Sequence, residues 1–493
     1  MNYFSTRAKT RENEKTASQV IIRGLADDGG LYMPENIPQI DGGFIKGLCG
    51  LKYYERAAKA LSLFLTDYTE QELLSCADMA YNYTFDGYNT KISPLKDGVR
   101  MLELWHGPTC AFKDMALQIM PKLLSKALEK TGEQKTALIL VATSGDTGKA
   151  ALEGYKDVKG IKIAVFYPQN GVSRMQKLQM ATQEGQNVSV FAIIGNFDDA
   201  QSGVKAIFSS ESVKKALEEK NTFLSSANSI NWGRLAPQIA YYISAYCDLV
   251  NEKDITNGEK VNITVPTGNF GNIFAAYIAK LMGLPVNKLI CASNSNNILT
   301  DFLSTGIYDR NRKFYTTMSP SMDILISSNL ERLLYLVAGP EKTAFYMKEL
   351  SEKGRYEVDK SALDKIKETF CAYFATEDEC RKTIKETFDE QNYLCDTHTA
   401  VAMSAAEKFK NEHGCAKKNI VVSTASPYKF APDVLSSLGR SAKNPDDDKD
   451  VINALSEYTK TAVPKPISEL FGKKIRFDKV LEKTEMQSSV LEL

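Results

Sequence analysis

The chain has 493 residues, of which 43% are hydrophobic and 25% charged, an ordinary globular composition that excludes disordered and fibrous classes. At this length two or three packed units are expected instead of one core. Lys plus Arg and Asp plus Glu are both 61, so no net positive field gathers nucleic acid or an anionic membrane, and neither is an expected partner.

The opening residues, Met1-Asn2-Tyr3-Phe4-Ser5-Thr6-Arg7, lack the apolar segment of a secretory signal. Residues 1–92 combine a turn at Asp27-Asp28-Gly29-Gly30 with a mostly helical pattern, strongest over 52–81, and form a candidate N-terminal domain. From Arg100 onward short apolar runs at 101–105, 137–142, 161–166, 188–193, 261–265, 289–292 and 419–423 alternate with helix-like stretches such as 114–129, 148–155 and 271–282. Such alternation predicts βαβ units and an α/β fold with doubly wound, mostly parallel sheets over 93–440. A more polar block interrupts it and reads as a helical insertion at about 300–390. Past Arg440, Lys443-Asn444-Pro445-Asp446-Asp447-Asp448 reads as a solvated linker, and 441–493 as a C-terminal extension without chemistry. The longest apolar run, near 137–142, is too short to span a bilayer. Nine cysteines without a CxxC pair, and only His106, His398 and His413, argue against disulfide scaffolds and metal centres and fit a reducing, cytoplasmic setting.

Doubly wound sheets bind ligands outside the carboxyl ends of their strands, and four loops stand there. The first, His106-Gly107-Pro108-Thr109-Cys110-Ala111-Phe112-Lys113-Asp114, places Lys113 at a strand-to-helix turn among apolar neighbours. Desolvation there disfavours the ammonium form and favours a nucleophilic amine, against the plainer reading of a surface lysine. The second, Thr143-Ser144-Gly145-Asp146-Thr147-Gly148-Lys149, is an anion-binding turn. It fails as a P-loop, because Thr143 stands where a glycine is needed and Ala150 where Ser or Thr is needed. The third, Pro266-Thr267-Gly268-Asn269-Phe270-Gly271-Asn272, has two glycines that let backbone close on a phosphate at a helix start. The fourth is Ser423-Thr424-Ala425-Ser426-Pro427, where a hydroxyl can meet a ring nitrogen or simply line a loop.

One account joins them. Pyridoxal 5'-phosphate needs an amine for its aldehyde, a cradle for its phosphate and a partner for its ring nitrogen. Lys113, with Phe112 beside it, the Gly268, Asn269, Phe270, Gly271 and Asn272 loop, and Thr424 supply these. The turn at 144–148 is then a second cradle, suited to a substrate carboxylate or phosphate.

At these residues the chain resembles the threonine synthase family, pyridoxal-phosphate enzymes of fold type II (tryptophan synthase beta-like). The resemblance runs from Tyr3 to about Arg440 through Gly24-Leu25-Ala26, the loops above, Gly195-Asn196-Phe197-Asp198-Asp199-Ala200-Gln201, Ser226-Ala227-Asn228-Ser229-Ile230-Asn231-Trp232-Gly233-Arg234, Ser321-Met322-Asp323-Ile324-Leu325 and Ser423 through Phe430. Thr397 stands where the family pattern has proline, and Ser426 where it has histidine or similar. The resemblance implies two doubly wound domains and the last step of threonine biosynthesis, in which O-phospho-L-homoserine and water give L-threonine and phosphate. It implies that Lys113 carries the cofactor and moves the protons, that Gly268 through Asn272 hold its phosphate, and that Thr424 faces its ring nitrogen. Ser144, Asp146, Thr147, Asn228, Asn231 and Arg234 are the expected substrate groups, the guanidinium fork being suited to phosphate. His398 reads as a local structural residue. The expected partner is this small molecule alone, acting on a monomer or homodimer. The competing readings are a serine/threonine dehydratase of the same fold type and a non-catalytic, ligand-binding relative.

Overall fold

The computed structural model describes residues 1–10, 14–143, 145–170, 172–414 and 417–493. Tyr3–Ser5 and Tyr32–Pro34 pair antiparallel, and the helices Ala17–Arg23, Gly42–Cys49, Tyr53–Ser62 and Glu70–Tyr81 complete a mostly helical N-terminal block. Thr16 and Thr69 start their helices with capping boxes, each hydroxyl taking a backbone N–H while the Gln or Glu three residues on returns the bond.

Two sheets follow. The six-stranded sheet runs, edge to edge, Phe370–Phe374, Val286–Ser293, Val261–Pro266, Asn419–Ser423, Val99–Glu103 and Lys91–Pro94. All its pairings are parallel except that of the last two. The five-stranded sheet is wholly parallel, in the order Val480–Leu481, Val188–Ile193, Ile161–Pro168, Thr136–Ala142 and Thr222–Ser225. This is the α/β fold with two doubly wound sheets.

Three expectations shift in detail. The helix-like stretch 114–129 is two helices, Asp114–Leu117 and Met120–Thr131, because Pro121 lacks an N–H and is accommodated only in a first turn. The block at 300–390 is not purely helical: Phe370–Phe374 is the edge strand beside Val286–Ser293, and Ile307–Asp309 pairs with Arg355–Glu357. The tail past residue 441 does not stand apart either, since Val480–Leu481 extends the five-stranded sheet beside Val188–Ile193.

The helix Trp232–Asn251 is buried nearly all round and packs against N-terminal helices and against Gly271–Met282, as an element apolar on every face must. Trp232 is fully buried between Tyr3 and Phe64, ring centroids 5.6 Å from each. The N-terminal block and the six-stranded sheet therefore share one core. This packing brings the carboxyl ends of Val99–Glu103, Thr136–Ala142, Val261–Pro266 and Asn419–Ser423 to a common cleft.

Candidate active site

Lys113 sits where the sequence places it, immediately before the helix Asp114–Leu117, with its amine 5.2 Å from the centre of the Phe112 ring. The main chain here is laced to the fourth loop: Phe112 N–H donates to the Thr424 carbonyl at 2.8 Å, and Ser426 N–H to the Cys110 carbonyl at 3.1 Å. Thr424 is buried, and its hydroxyl has no hydrogen-bond partner among the described residues. Asp114 opens its helix, but its carboxylate turns back to take Thr109 N–H at 2.8 Å and the Thr109 hydroxyl at 2.6 Å. Burial pushes that carboxyl up to about 6, against the lowering effect of the two Thr109 bonds.

The Lys113 amine is 3.5 Å from Asp146 Oδ2 and donates to Ser321 Oγ at 3.3 Å. Burial brings its pKa down from 10.5 to about 8; Asp146 opposes that fall, while Arg234 and Lys429 add to it. The amine is thus easier to deprotonate near neutrality than an exposed lysine.

The structure gives Asp146 a different task from the expected substrate contact. Its Oδ1 lies 2.6 Å from Lys429 Nζ and accepts from Gln176 Nε2 at 2.9 Å. Burial alone would push this carboxyl up, but Lys429 and Lys113 hold it well below the usual carboxylate range. A carboxylate facing two cations cannot hold an anion, so it sets the charge of the lysine. Thr147 is half-buried in the first turn of the helix Asp146–Tyr155, and Thr143 Oγ1 ties that turn down by accepting the N–H groups of Gly145 at 3.0 Å and Gly148 at 2.9 Å. Ser144 lies outside the described residues.

The glycine loop fits a phosphate. The N–H groups of Gly268 through Asn272 have no acceptor among the described residues, and the helix Gly271–Met282 begins there, so unpaired donors face one end of the cleft. Gly268 cannot be replaced freely: a Cβ on it would come within 2.5 Å of the Ser321 carbonyl oxygen. Phe270 adopts a left-handed backbone, φ 62°, held by its buried ring 5.7 Å from Phe370. Asn269 is braced through its carbonyl, which accepts Asn329 N at 3.1 Å and Asn329 Nδ2 at 3.0 Å. Asn272 points inward: its Oδ1 accepts the hydroxyls of Tyr241 and Tyr242, and its buried Nδ2 has no partner among the described residues. That orphaned donor, the row of free N–H groups and the lowered amine are the features a lysine-bound pyridoxal phosphate requires, and the residues fit the group.

Arg234 is buried, with Nη1 donating to the Ala227 carbonyl at 2.9 Å and no carboxylate within ion-pair distance among the described residues. Burial brings it down to about 10. A desolvated guanidinium without a carboxylate beside it is suited to pairing with an anion. Asn228 is half-buried, and its side chain makes no hydrogen bond among the described residues. Asn231 is spent otherwise: its amide nitrogen donates to the carbonyls of Ile21 at 2.9 Å and Ser226 at 3.3 Å, and its oxygen caps the next helix through Gly233 N. It caps the helix that carries Arg234.

Sequence reasoning assigned no role to Lys429 or Ser321, although both lie in motifs it singled out. Lys429 is fully buried two residues past Pro427, with Nζ also 3.0 Å from the Thr109 carbonyl. Its position directly after a strand-end loop was the available signal.

Three family models match the chain: Threonine synthase N terminus over residues 2–81, Pyridoxal-phosphate dependent enzyme over 98–426, and Threonine synthase, C-terminal over 399–490. Threonine synthase-like 1 of Homo sapiens is 41% identical over 440 residues, covering 86% of this chain and 58% of its own length, so the chain spans well under two thirds of that relative. Threonine synthase of Saccharomyces cerevisiae is 37% identical over 472 residues, covering 88% of this chain and 89% of its own. Among solved structures, that of pyridoxal-phosphate-bound threonine synthase from Brucella melitensis superposes with a TM-score of 0.88 at 34% identity, covering 100% of this chain and 99% of that one.

Proposed function

Since the chain belongs to the threonine synthase family of pyridoxal-phosphate-dependent enzymes, we propose that it converts O-phospho-L-homoserine and water to L-threonine and phosphate. The observation that carries this reading is Arg234, a buried guanidinium with no carboxylate beside it among the described residues, which adds to the lowering of the Lys113 amine's pKa. A substrate with a phosphate ester brings a second anion besides its carboxylate, whereas a dehydratase substrate has its carboxylate alone.

When bound, pyridoxal phosphate supplies the electron sink that stabilises negative charge next to the substrate's amino group. Lys113 would hold it, the N–H groups of Gly268 through Asn272 would donate to its phosphate, and the Thr424 hydroxyl would partner its ring nitrogen. Being neutral, the Thr424 hydroxyl does not favour a protonated ring as a carboxylate would. With its amine free, Lys113 would take the proton from the substrate's Cα and then move a proton at Cβ as phosphate leaves Cγ. A proton delivered to Cγ, the hydroxyl of water added at Cβ and a proton returned to Cα would complete threonine. Burial, with Arg234 and Lys429, brings the amine's titration toward neutrality, while Asp146 holds it back. Arg234 and Asn228 hold the substrate's anionic groups with the Ser144 and Thr147 turn, and Asn231 positions Arg234. We assign residues 1–92 to a threonine-synthase-type domain, 93–440 to the catalytic region and 441–493 to an extension that completes a sheet edge. The retained Lys113–Asp146 pair supports catalysis over a binding-only role.

The test is release of phosphate from O-phosphohomoserine, measured together with threonine. Equal amounts are expected. Cofactor absorbance without phosphate release would sink the reading and favour a binding protein.

A further inference from the structure

Ser321 is the second group on the Lys113 amine, and no step above uses it. It lies in the short 3-10 turn Pro320–Met322, far from any predicted strand end. Its hydroxyl is 3.3 Å from Lys113 Nζ and 3.4 Å from Asp146 Oδ2. Its carbonyl is the atom that a Cβ on Gly268 would strike. One serine thus touches the reactive amine, the amine's counter-ion and the phosphate cradle.

Its main chain is held from behind. Ser321 N–H donates to His398 Nε2 at 3.1 Å, so Nε2 is the acceptor and the ring proton sits on Nδ1, which faces Asp396 Oδ1 at 2.9 Å. Asp396 is itself fixed: it caps the helix Thr397–His413 by accepting His398 N–H at 2.8 Å and Thr399 N–H at 3.3 Å. On the other side, Asn294 anchors the same loop through Thr317 Oγ1 at 2.8 Å, Ser319 Oγ at 3.0 Å and Asp323 Oδ1 at 2.7 Å. Because His398 engages the backbone of Ser321, the hydroxyl is left for Lys113.

We infer that Ser321 positions the Lys113 amine, and that Asp396 and His398 position Ser321. A lysine carries its donors on a flexible four-carbon stem. Between leaving the cofactor and returning, the amine must face successive carbons of the substrate, and misplacement by about an ångström is costly. An acceptor on a braced turn gives the released amine a fixed location. The charged groups that bear on Lys113 are Asp146 from the helix Asp146–Tyr155, Lys429 from the turn Pro427–Phe430 and Arg234 from the helix Trp232–Asn251. Ser321 adds no charge to them, so its effect is one of geometry.

The inference rests on the function proposed above, but its main readout does not need that substrate: the rate at which the cofactor-free full chain captures pyridoxal phosphate on Lys113, followed by absorbance. Phosphate release from O-phosphohomoserine gives kcat and KM alongside. Ser321→Ala removes one oxygen and should lower the capture rate and kcat by about tenfold or more, with KM changed by less than about threefold. His398→Ala should match it. His398→Gln, whose amide oxygen can accept the Ser321 N–H, should recover to within about threefold. In the double variant Ser321→Ala/His398→Ala the losses should not multiply, since both act through one hydroxyl. Capture at the unaltered rate in Ser321→Ala, multiplying losses in the double variant, or a His398→Gln as impaired as His398→Ala would each overturn it. If the unmodified chain releases no phosphate yet the capture pattern holds, the substrate reading fails and this inference stands.

Discussion

Lys113 and Lys429 approach opposite oxygens of one buried carboxylate, Asp146, at 3.5 and 2.6 Å. The shorter contact belongs to the lysine that does no chemistry. Lys429 is locked in place by Asp146 and the Thr109 carbonyl, whereas Lys113 keeps a looser contact and stays free to react. One carboxylate therefore serves as a structural partner on one side and as a charge-setting group on the other.

Asp146→Asn leaves Lys429 buried without its carboxylate. Removing one partner of such a pair costs about 3 kcal/mol or more, to be read as a lower urea midpoint at pH 7. The pH dependence has a definite sign. The folded carboxyl lies below its unfolded value of about 3.9, so the pair's stabilisation is full above that pH and fades as pH falls through and below it. The variant should lose this component of acid destabilisation, and an unchanged profile would contradict the assignment.

The Lys113 amine, lowered to about 8, should capture pyridoxal phosphate with a rate that rises through pH 8 instead of near 10.5. Asp146 favours the charged form, so Asp146→Asn should move that midpoint lower. Lys113→Ala should be colourless at the wavelength lost on borohydride reduction of the parent; unchanged absorbance would remove Lys113 from its role.

Gly268→Ala and Gly271→Ala should differ. The first Cβ would lie 2.5 Å from the Ser321 carbonyl oxygen, a backbone atom, while the second meets only side chains, the nearest atom being Asn329 Nδ2 at 3.3 Å. Cofactor affinity measured by titration should fall by at least about tenfold in Gly268→Ala, with a smaller loss in Gly271→Ala. Equal losses would mean that the contact with the Ser321 turn does not shape the cradle.

Arg234→Ala should raise KM for O-phosphohomoserine by about tenfold or more, as loss of a buried charge-assisted contact does, and leave cofactor affinity within about threefold. The reverse pattern would place Arg234 in the cofactor site.

Much of this was legible in the chain itself. The strands Val188–Ile193 and Asn419–Ser423 and the helix Gly271–Met282 occupy the residues their patterns predict, because apolar runs and a glycine-led helix start are local signals. Lys113 and the glycine loop were legible for the same reason, each lying at a strand end. The strand Phe370–Phe374 was not, since a short apolar run inside a polar block becomes a strand only when Val286–Ser293 offers it an edge.

Tertiary structure alone decided the charges. Residue types and spacing determined that an amine, an anion cradle and a hydroxyl would line one end of a parallel sheet. They could not show that Asp146 serves two lysines, that Arg234 has no carboxylate beside it among the described residues, or that Ser321 stands between Lys113 and His398. Those facts depend on which side chains become neighbours when distant segments pack, and on how far burial strengthens each interaction by removing water.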